Sequence, residues 1–326
     1  MKIFRFGFLL IHLIIVLLLS ATLLNDYVPP RVFPYLNLLS LAFPVLMILN
    51  FMLCLLWLIS WKKRAIFFIA ITLMLLTPIR RWINWNPAVA EKPNLKIVTM
   101  NVKGSAIGGH EKVNEYLQET NADIIFAQEY GRKFNIANYP YKTDQYEIVA
   151  LKSKTEIIKQ EKLATAGNGN AFYADIKFNG QIIRVVNVYL NPFSFDKQAV
   201  KPVEDFQENK AKVKDVVRKL VPTFKIHQEE IANIRKAIDN SPYPVIVAGD
   251  FNAVPNSYEY YELGRGLKDV FLEVGRGSST SFHDYKFPIR IDYIFASKDI
   301  KPISYRVDRS VRLSDHFPVI AEFKID

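Results

Sequence analysis

Polar side chains that could bind a cation or a phosphate follow several apolar runs of the 326-residue sequence. In VIVAGDFNAVPNS, Asp250 and Asn252 end an apolar run and lie two residues apart. Residues at that spacing share one face while a strand persists. A carboxylate beside an amide can bind a hard cation, or can orient a water and hold a phosphoryl oxygen. The alternative is an Asx turn capping the strand, because Asp and Asn readily bond their own backbone.

Two further segments place ionisable groups at predicted strand ends. Glu129 directly follows the apolar run ADIIFAQ. A carboxylate at a buried strand end is costly unless a positive group such as a metal ion meets it, although an ordinary strand edge is the alternative. His316 follows Asp315 in SDHFP, and an ordinary histidine pKa of about 6.5 suits proton transfer near neutral pH. Because adjacent residues usually point apart, Asp292 in RIDYIF is a second candidate partner for His316; a simple turn is the alternative for SDH.

The rest of the C-terminal two thirds reads as strands with some helices. Helical spacing predicts helices over 111–120 and 227–238. Residues 206–221 could form a basic amphipathic helix, either packed on a sheet and solvated or facing a membrane surface or substrate. Several β-rich runs are apolar throughout, as in strands covered on both faces, and this predicts an α/β fold with packed sheets. The eight predicted strands are 95–102, 122–129, 146–153, 171–178, 182–190, 243–251, 290–297 and 316–325.

The N-terminal region, 1–85, is dominated by Leu, Ile, Phe, Val and Met. About 20 apolar residues cross the roughly 30 Å of bilayer hydrocarbon, so we predict three transmembrane helices over 6–24, 36–61 and 65–82. A cleavable signal peptide is the alternative for the first, although the second apolar run would remain after cleavage. Residues 86–94 hold two prolines and no periodicity, and they read as a linker before a catalytic domain over 95–326.

The charge distribution indicates a membrane orientation. Residues 1–90 carry eight Lys or Arg against one Asp, whereas the remainder carries 34 basic against 31 acidic residues, a net charge of only +3. Lys2 and Arg5 precede the first predicted span, and residues 62–64 join the second to the third. The positive-inside rule places both groups in the cytoplasm, so three spans put the catalytic domain outside it. His12 and Asn50 are predicted to be helix-contact residues.

As a set, five short motifs resemble the endonuclease/exonuclease/phosphatase family over about residues 95–326. They are NVKG at 101–104, QE at 128–129, GDFN at 249–252, RIDYIF at 290–295 and SDHFP at 314–318. The resemblance implies a four-layer α/β/β/α sandwich of two packed mixed β-sheets. It also implies a metal-dependent hydrolase of phosphoesters that uses Mg²⁺, with Mn²⁺ as the alternative, and needs no covalent intermediate.

The same resemblance implies roles around a cation. Asn101 and Glu129 would bind the divalent cation, with Asp315 assisting. Asp250 would align or activate the attacking water. A hard cation prefers such oxygen ligands and neutralises charge as water attacks phosphorus.

It also implies phosphate contacts. Asn252 would contact the scissile phosphate, and His316 would bind a phosphate oxygen or transfer a proton, oriented by Asp292. Many members carry a second histidine where this chain has Tyr189. A phenol can still donate a hydrogen bond to phosphate, and the alternative for Tyr189 is an aromatic core residue. His227, which no motif includes, is predicted to be a surface or loop residue.

Three functions are compatible with these features. The first is a phosphodiesterase, integral to the cytoplasmic membrane, that acts on a lipid-derived or other small phosphoester. The second is an extracytoplasmic nuclease acting on DNA or RNA, and the third is an inactive membrane-tethered binding module. The net charge of +3 after residue 90 gives no strong surface for tracking many phosphates, and a tether near lipid headgroups slightly favours the first.

Overall fold

The chain forms an N-terminal group of helices followed by two six-stranded sheets. The computed structural model describes residues 2–60, 62–130, 135–193, 203–284 and 288–325. The helices are α1 Lys2–Ala21, α2 Tyr35–Ile59, α3 Arg64–Met74, α4 Leu76–Arg80, α5 His110–Glu119, α6 Phe206–Asp239, α7 Tyr258–Gly264 and α8 Val270–Val274. The strands are β1 Ile83–Trp85, β2 Leu95–Asn101, β3 Ile124–Gln128, β4 Tyr141–Lys142, β5 Ala150–Ser153, β6 Ile157–Leu163, β7 Asn170–Phe178, β8 Gln181–Tyr189, β9 Val245–Asp250, β10 Lys268–Asp269, β11 Arg276–Ser278, β12 Asp292–Ala296, β13 Lys301–Val307 and β14 Val319–Lys324.

Both large sheets are mixed. The first has the strand order β13-β14-β2-β3-β5-β4, and the second has the order β10-β12-β9-β8-β7-β6. One parallel pair lies at the middle of each, β2 with β3 and β8 with β9, and the other pairs are antiparallel. All eight predicted strands are present, and the prediction of an α/β fold with two packed mixed sheets is confirmed.

Three hydrophobic clusters show how the layers stack. Alternate β2 residues face opposite ways: Leu95 and Ile97 lie in the cluster between the two sheets, whereas Val98 and Met100 lie in the cluster under α5. A third cluster joins the outer face of the second sheet to α6 and α7. Helices therefore cover both outer faces, as the resemblance implied. Each fully buried aliphatic side chain contributes about 1.5–3 kcal/mol, so these three clusters dominate the stability of the domain.

Helix α6 is longer than the sequence predicts. The two predicted helices, 206–221 and 227–238, form one helix of 34 residues that contains Pro222. Proline lacks the N–H of a helical hydrogen bond and costs about 3 kcal/mol within a helix. Leu220 and Phe224, on either side of the proline, are both buried. Burial of this apolar face offsets the lost hydrogen bond, and the helix continues.

The three predicted membrane spans are only partly matched. Helices α1 and α2 are long and apolar enough to cross a membrane, criteria that a signal sequence or a soluble core helix can also meet. The predicted third span is instead divided into α3, of 11 residues, and the short α4. Helix α3 alone spans roughly 16 Å, about half of the hydrocarbon thickness. Pro78 accounts for the break, because it has no N–H to donate to the preceding turn.

A buried chain of hydrogen bonds joins the first three helices. The indole N–H of Trp57 donates to His12 Nδ1 at 2.9 Å, so His12 Nε2 carries the proton and donates to Asn50 Oδ1 at 3.0 Å. Asn50 Nδ2 donates to Thr72 on α3 at 2.8 Å. His12 and Asn50 are thus helix-contact residues, as predicted. Arg64 also stacks over Trp57, so α3 runs back along α2 in the opposite direction.

The N-terminal helices pack against the two-sheet domain. Ser40 of α2 donates to the backbone oxygen of Asn256 at 2.7 Å, and Arg81, just after α4, donates to the Asn256 side chain at 2.7 Å. Phe43 of α2 shares one apolar cluster with Phe282. Residues 86–94, the predicted linker, form no helix or strand. The N-terminal helices and the two-sheet domain therefore share a hydrophobic core, and a short linker joins them.

Candidate active site

The predicted site residues lie at one edge of the stacked sheets. Asn101 ends β2, which is parallel to β3 in the first sheet. Tyr189 and Asp250 end β8 and β9, the parallel pair of the second sheet. Asp292 begins β12, directly opposite Asp250 in the antiparallel register. Parallel strands bring their carboxyl ends to the same edge, and this explains why segments far apart in sequence meet here.

Glu129 and Asp250 are joined by one amide. Asn101 Nδ2 donates to Glu129 Oε1 at 2.9 Å and to Asp250 Oδ2 at 3.0 Å, and the backbone N–H of Lys103 holds Asn101 Oδ1. The Tyr189 hydroxyl donates to Glu129 Oε1 at 3.0 Å. Burial and the nearby carboxylates raise the pKa of Tyr189, so the phenol stays a neutral donor. The amide and the phenol thus hold the Glu129 carboxylate in place.

The backbone at Glu129 is strained. Its φ of +50° lies in the left-handed region, which costs a residue with a side chain about 1–3 kcal/mol and is concentrated at functional sites. Glu129 is half-buried and lines a cavity. None of the Lys, Arg or His residues in the described part of the chain lies within ion-pair distance of its carboxylate. This orientation suits a ligand for a cation.

His316 is held between two carboxylates. Its Nδ1 donates to Asp292 Oδ2 at 2.9 Å, and its Nε2 lies 3.8 Å from Asp250 Oδ2. Burial alone would lower the pKa of His316, but the charges of Asp292 and Asp250 outweigh it and raise the pKa to about 9. Burial raises the pKa of Asp250. The histidine partner is therefore Asp292, the candidate that is not adjacent in sequence.

Asn252 and Asp315 complete the predicted set. The Asn252 backbone N–H donates to Asp250 Oδ1 at 2.8 Å, and its side-chain amide donates to the backbone oxygen of Leu190 at 2.8 Å. Asp315 Oδ2 accepts from Lys103 Nζ at 2.6 Å. Lys103 lines the cavity but was not singled out from the sequence. The available signal was its place in NVKG, two residues after Asn101.

Two groups of side chains could hold a divalent cation. Glu129 and Asp315 both offer carboxylates to the cavity, whereas Asn101 is fully buried and turns its oxygen to the Lys103 backbone. Ligand atoms of Asp250, Asp292 and His316 also lie within 4.8 Å of one another. In the second group His316 already directs Nδ1 to Asp292, so only its Nε2 could bind a metal. The oxygen ligands of the first group fit a hard cation better.

The cavity beside these residues has a volume of about 420 Å³. Glu129, Asp250, Asn252, Asp315 and His316 are among its polar lining residues. Its apolar lining residues, here called the apolar wall, include Leu41 of α2, Val216, Leu220 and Phe224 of α6, and Phe282 and Ile289. The lining therefore combines groups that suit an anion and a cation with groups that suit hydrocarbon.

The prediction for His227 is wrong, because the residue is fully buried. Its Nδ1 lies 2.9 Å from Glu259 Oε1, and its Nε2 lies 2.7 Å from the Asn191 backbone oxygen. Both partners only accept hydrogen bonds, so both ring nitrogens must donate and the ring is an imidazolium. Burial lowers the pKa of His227, but Glu259 outweighs burial and raises it. Asn37 of α2 donates to both Glu259 oxygens, which links α2 to this pair.

Known proteins resemble both regions of the chain. A sequence model described as Domain of unknown function (DUF8431) matches residues 2–82. No curated protein matches the chain. An endonuclease/exonuclease/phosphatase from Beutenbergia cavernae is 14% identical with a TM-score of 0.52, and the match covers 72% of each chain. Humanized D. rerio TDP2 is 18% identical with a TM-score of 0.50, and the match covers 71% of this chain and 98% of that one.

A family member from Leptotrichia buccalis is 17% identical with a TM-score of 0.50 over 71% of this chain and 100% of that one. At these identities the structural likenesses show the fold alone. The sequence model of the Endonuclease/Exonuclease/phosphatase family matches residues 98–316, which is more than half of the chain. The motifs, the two mixed sheets and this match agree, and the chain belongs to the endonuclease/exonuclease/phosphatase family.

Proposed function

We propose that the chain is a divalent-metal-dependent phosphoester hydrolase in which water attacks phosphorus directly. The observation that supports this most is the position of Asp250. Asn101 links its carboxylate to Glu129 on one side, and His316 lies 3.8 Å away on the other. A base, a cation ligand and a proton donor therefore adjoin the same point in one cavity.

Glu129, assisted by Asp315, would hold Mg²⁺ or Mn²⁺, with Asn101 fixing the Glu129 carboxylate or adding its own oxygen. The ion would neutralise charge on the phosphate oxygens. Asp250 accepts the proton of the attacking water. Its burial favours this step, because a carboxylate with a raised pKa is a stronger base.

Asn252 and His316 bind the phosphate. His316 keeps its Nδ1 on Asp292 and can direct Nε2–H to a phosphate oxygen or to the leaving group. Asn252 lines the cavity from a backbone with φ of +45°, fixed by its two hydrogen bonds. Tyr189 acts through Glu129 in this arrangement, rather than by contacting phosphate.

Hydrolysis of bis(4-nitrophenyl) phosphate by the purified, detergent-solubilised chain tests the proposal. Activity should require Mg²⁺ or Mn²⁺ and should disappear with a chelator. Glu129→Gln keeps the side-chain shape but removes the charge, and it should lower activity by at least about tenfold. Glu119→Gln, an exposed residue on α5, is the matched control. Equal activity of wild type and Glu129→Gln would remove the basis for this site.

We also propose that the N-terminal helices anchor the chain in the cytoplasmic membrane with the catalytic domain outside the cytoplasm. Large apolar side chains are exposed on α1, α2 and α3, including Leu17 at 68%, Met52 at 62% and Ile66 at 72%. Water solvates such an apolar surface poorly, whereas lipid hydrocarbon solvates it well. The short helices α3 and α4 together cover 17 residues, or roughly 25 Å, and they return the chain across the membrane.

The packing supports this orientation. The catalytic domain contacts Asn25, in the connection between α1 and α2, and Arg81, after α4. The basic residues 62–64 lie at the other end of α2. Alkaline phosphatase fused after Asp326 should therefore be active in cells, and green fluorescent protein at the same position should be dark. The reverse pattern would place the domain in the cytoplasm.

A further inference from the structure

We propose that the apolar wall binds a hydrocarbon chain of a membrane lipid whose phosphate lies against Asn252 and His316. This inference rests on the proposed function and specifies its substrate. The cavity is continuous from the catalytic carboxylates to the apolar wall, and its volume of about 420 Å³ lies within the usual range for small-molecule sites. A substrate that fills it needs a charged end and an apolar end.

Helix α6 presents a stripe of apolar side chains to the cavity. Val216, Leu220 and Phe224 follow one another at intervals of four residues, so they form one stripe on the helix. The stripe lines the cavity, whereas Val213 is 64% exposed and does not. Fixed apolar residues facing a cavity are stabilised when hydrocarbon, rather than water, fills it.

The charge of the cavity argues against a nucleic acid. Of the described residues that line it, Lys103 is the only Lys or Arg, and Lys103 already pairs with Asp315. A nuclease would be expected to neutralise several phosphates along its substrate with Lys or Arg. One phosphate with a long apolar substituent matches this lining better.

The position of α2 identifies the source of the hydrocarbon. Leu41 lines the cavity, and one turn further along the same helix Val45 is 55% exposed among other exposed apolar residues. The wall of the cavity therefore continues into the surface that we place in the bilayer. A lipid chain could reach the site along α2 without leaving an apolar environment. A soluble amphiphile would not need such a path.

Two substrates with the same reacting group separate this inference from the proposed function. Ethyl and octyl 4-nitrophenyl phosphate both lose 4-nitrophenolate when the oxygen of water bonds to phosphorus, and they differ only in the alkyl chain. The detergent-solubilised full chain should cleave the octyl ester with a kcat/KM at least about tenfold higher, because only a few buried methylenes are needed for that factor. If neither ester is cleaved, the proposed function fails. If both are cleaved equally, only the hydrocarbon site fails.

Matched variants locate the effect. Val216→Asn should lower the octyl-to-ethyl ratio severalfold, whereas Val213→Asn on the same helix should leave it unchanged. Leu41→Ala should lower the ratio as well, with the exposed Leu55→Ala of α2 as its control. Similar melting temperatures for each pair would exclude a folding effect. A ratio that is the same in all four variants would overturn the assignment of the apolar wall.

A last measurement tests the bilayer as the source. The chain reconstituted in vesicles of phosphatidylethanolamine and phosphatidylglycerol should release a water-soluble product from the headgroup. Cleavage of the octyl ester with both lipids intact would overturn the assignment of these membrane lipids as substrates. Rapid nicking of plasmid DNA or cleavage of RNA, with the lipids untouched, would favour the nuclease instead.

Discussion

Replacing His227 with Leu should destabilise the protein more than any other histidine substitution in the described part of the chain. The imidazolium donates to Glu259 and to the Asn191 backbone oxygen, and the ring is fully buried. Leu would leave the Glu259 carboxylate buried with only the hydrogen bonds of Asn37, and the Asn191 oxygen without a donor. Removing one partner of a buried ion pair typically costs about 3–5 kcal/mol.

For a catalytic domain of this size, that loss should lower the melting temperature by roughly 10 °C. The assay is thermal unfolding of the detergent-solubilised chain followed by differential scanning calorimetry, because all four tryptophans precede residue 86 and would not report on the catalytic domain. His110→Leu, at the start of α5, is the control for losing a histidine outside this network. If His227→Leu melts like His110→Leu, the buried ion pair does not contribute as argued.

The pH dependence gives an independent check. The pKa of His227 is raised in the folded protein from an ordinary value of 6.5. Its contribution to stability is therefore complete below pH 6.5 and is lost as the pH rises through the folded pKa. Wild type should lose stability over that alkaline range, and His227→Leu should show a flatter profile. A wild-type profile that rises over the same range would contradict the assignment of the imidazolium.

Three further substitutions test the site and its support. Gly249→Ala would place Cβ 2.0 Å from the Val188 oxygen at φ +140°, so we expect a loss of about 3 kcal/mol or more in thermal unfolding, against a smaller loss for Gly266→Ala, where nothing lies within 4 Å. Asp292→Asn should lower kcat at neutral pH by at least about tenfold when assayed well below the melting temperature of the variant, and an unchanged kcat would show that it does not position the catalytic histidine. Burial raises the pKa of Asp308, but its hydrogen bonds outweigh burial and lower the pKa to about 2. Its stabilisation is present above pH 3.8 and is lost as the pH falls towards 2, so Asp308→Asn should show a flatter acid limb of unfolding, and an unchanged limb would contradict this.

The strand ends that carry the chemistry could be predicted because their signal is local. An apolar run followed by Asp, Asn or Glu identifies both a buried strand and the polar group at its end, as at Asp250 and Glu129. Strands β6 and β13 were not predicted. Five of the seven residues in β6, Ile157–Leu163, are polar or exposed, and an edge strand of this kind lacks the continuous apolar signal.

Contacts between distant elements could not be predicted in the same way. The assignment of Asp292 rather than Asp315 as the partner of His316 depends on the register of β12 against β9. The burial of His227 depends on Glu259 and Asn37, which belong to two other helices. Each of these residues occurs in a segment whose local pattern is equally compatible with a surface position. Only the packing of the helices on the second sheet distinguishes a buried position from a surface position.

The polar and the apolar lining residues of the cavity therefore differ in how directly the sequence encodes them. The polar lining residues come from strand ends of one fold, where side-chain direction is set by the sheet register. The apolar wall combines α2, α6 and the segment around Phe282, which lie far apart in the sequence and meet only when the N-terminal helices dock. Docking itself combines the apolar cluster that holds Phe43 and Phe282 with polar contacts such as those from Asn37 and Ser40. Changes in the N-terminal helices should consequently alter the choice of substrate, while the chemistry at Asp250 is retained.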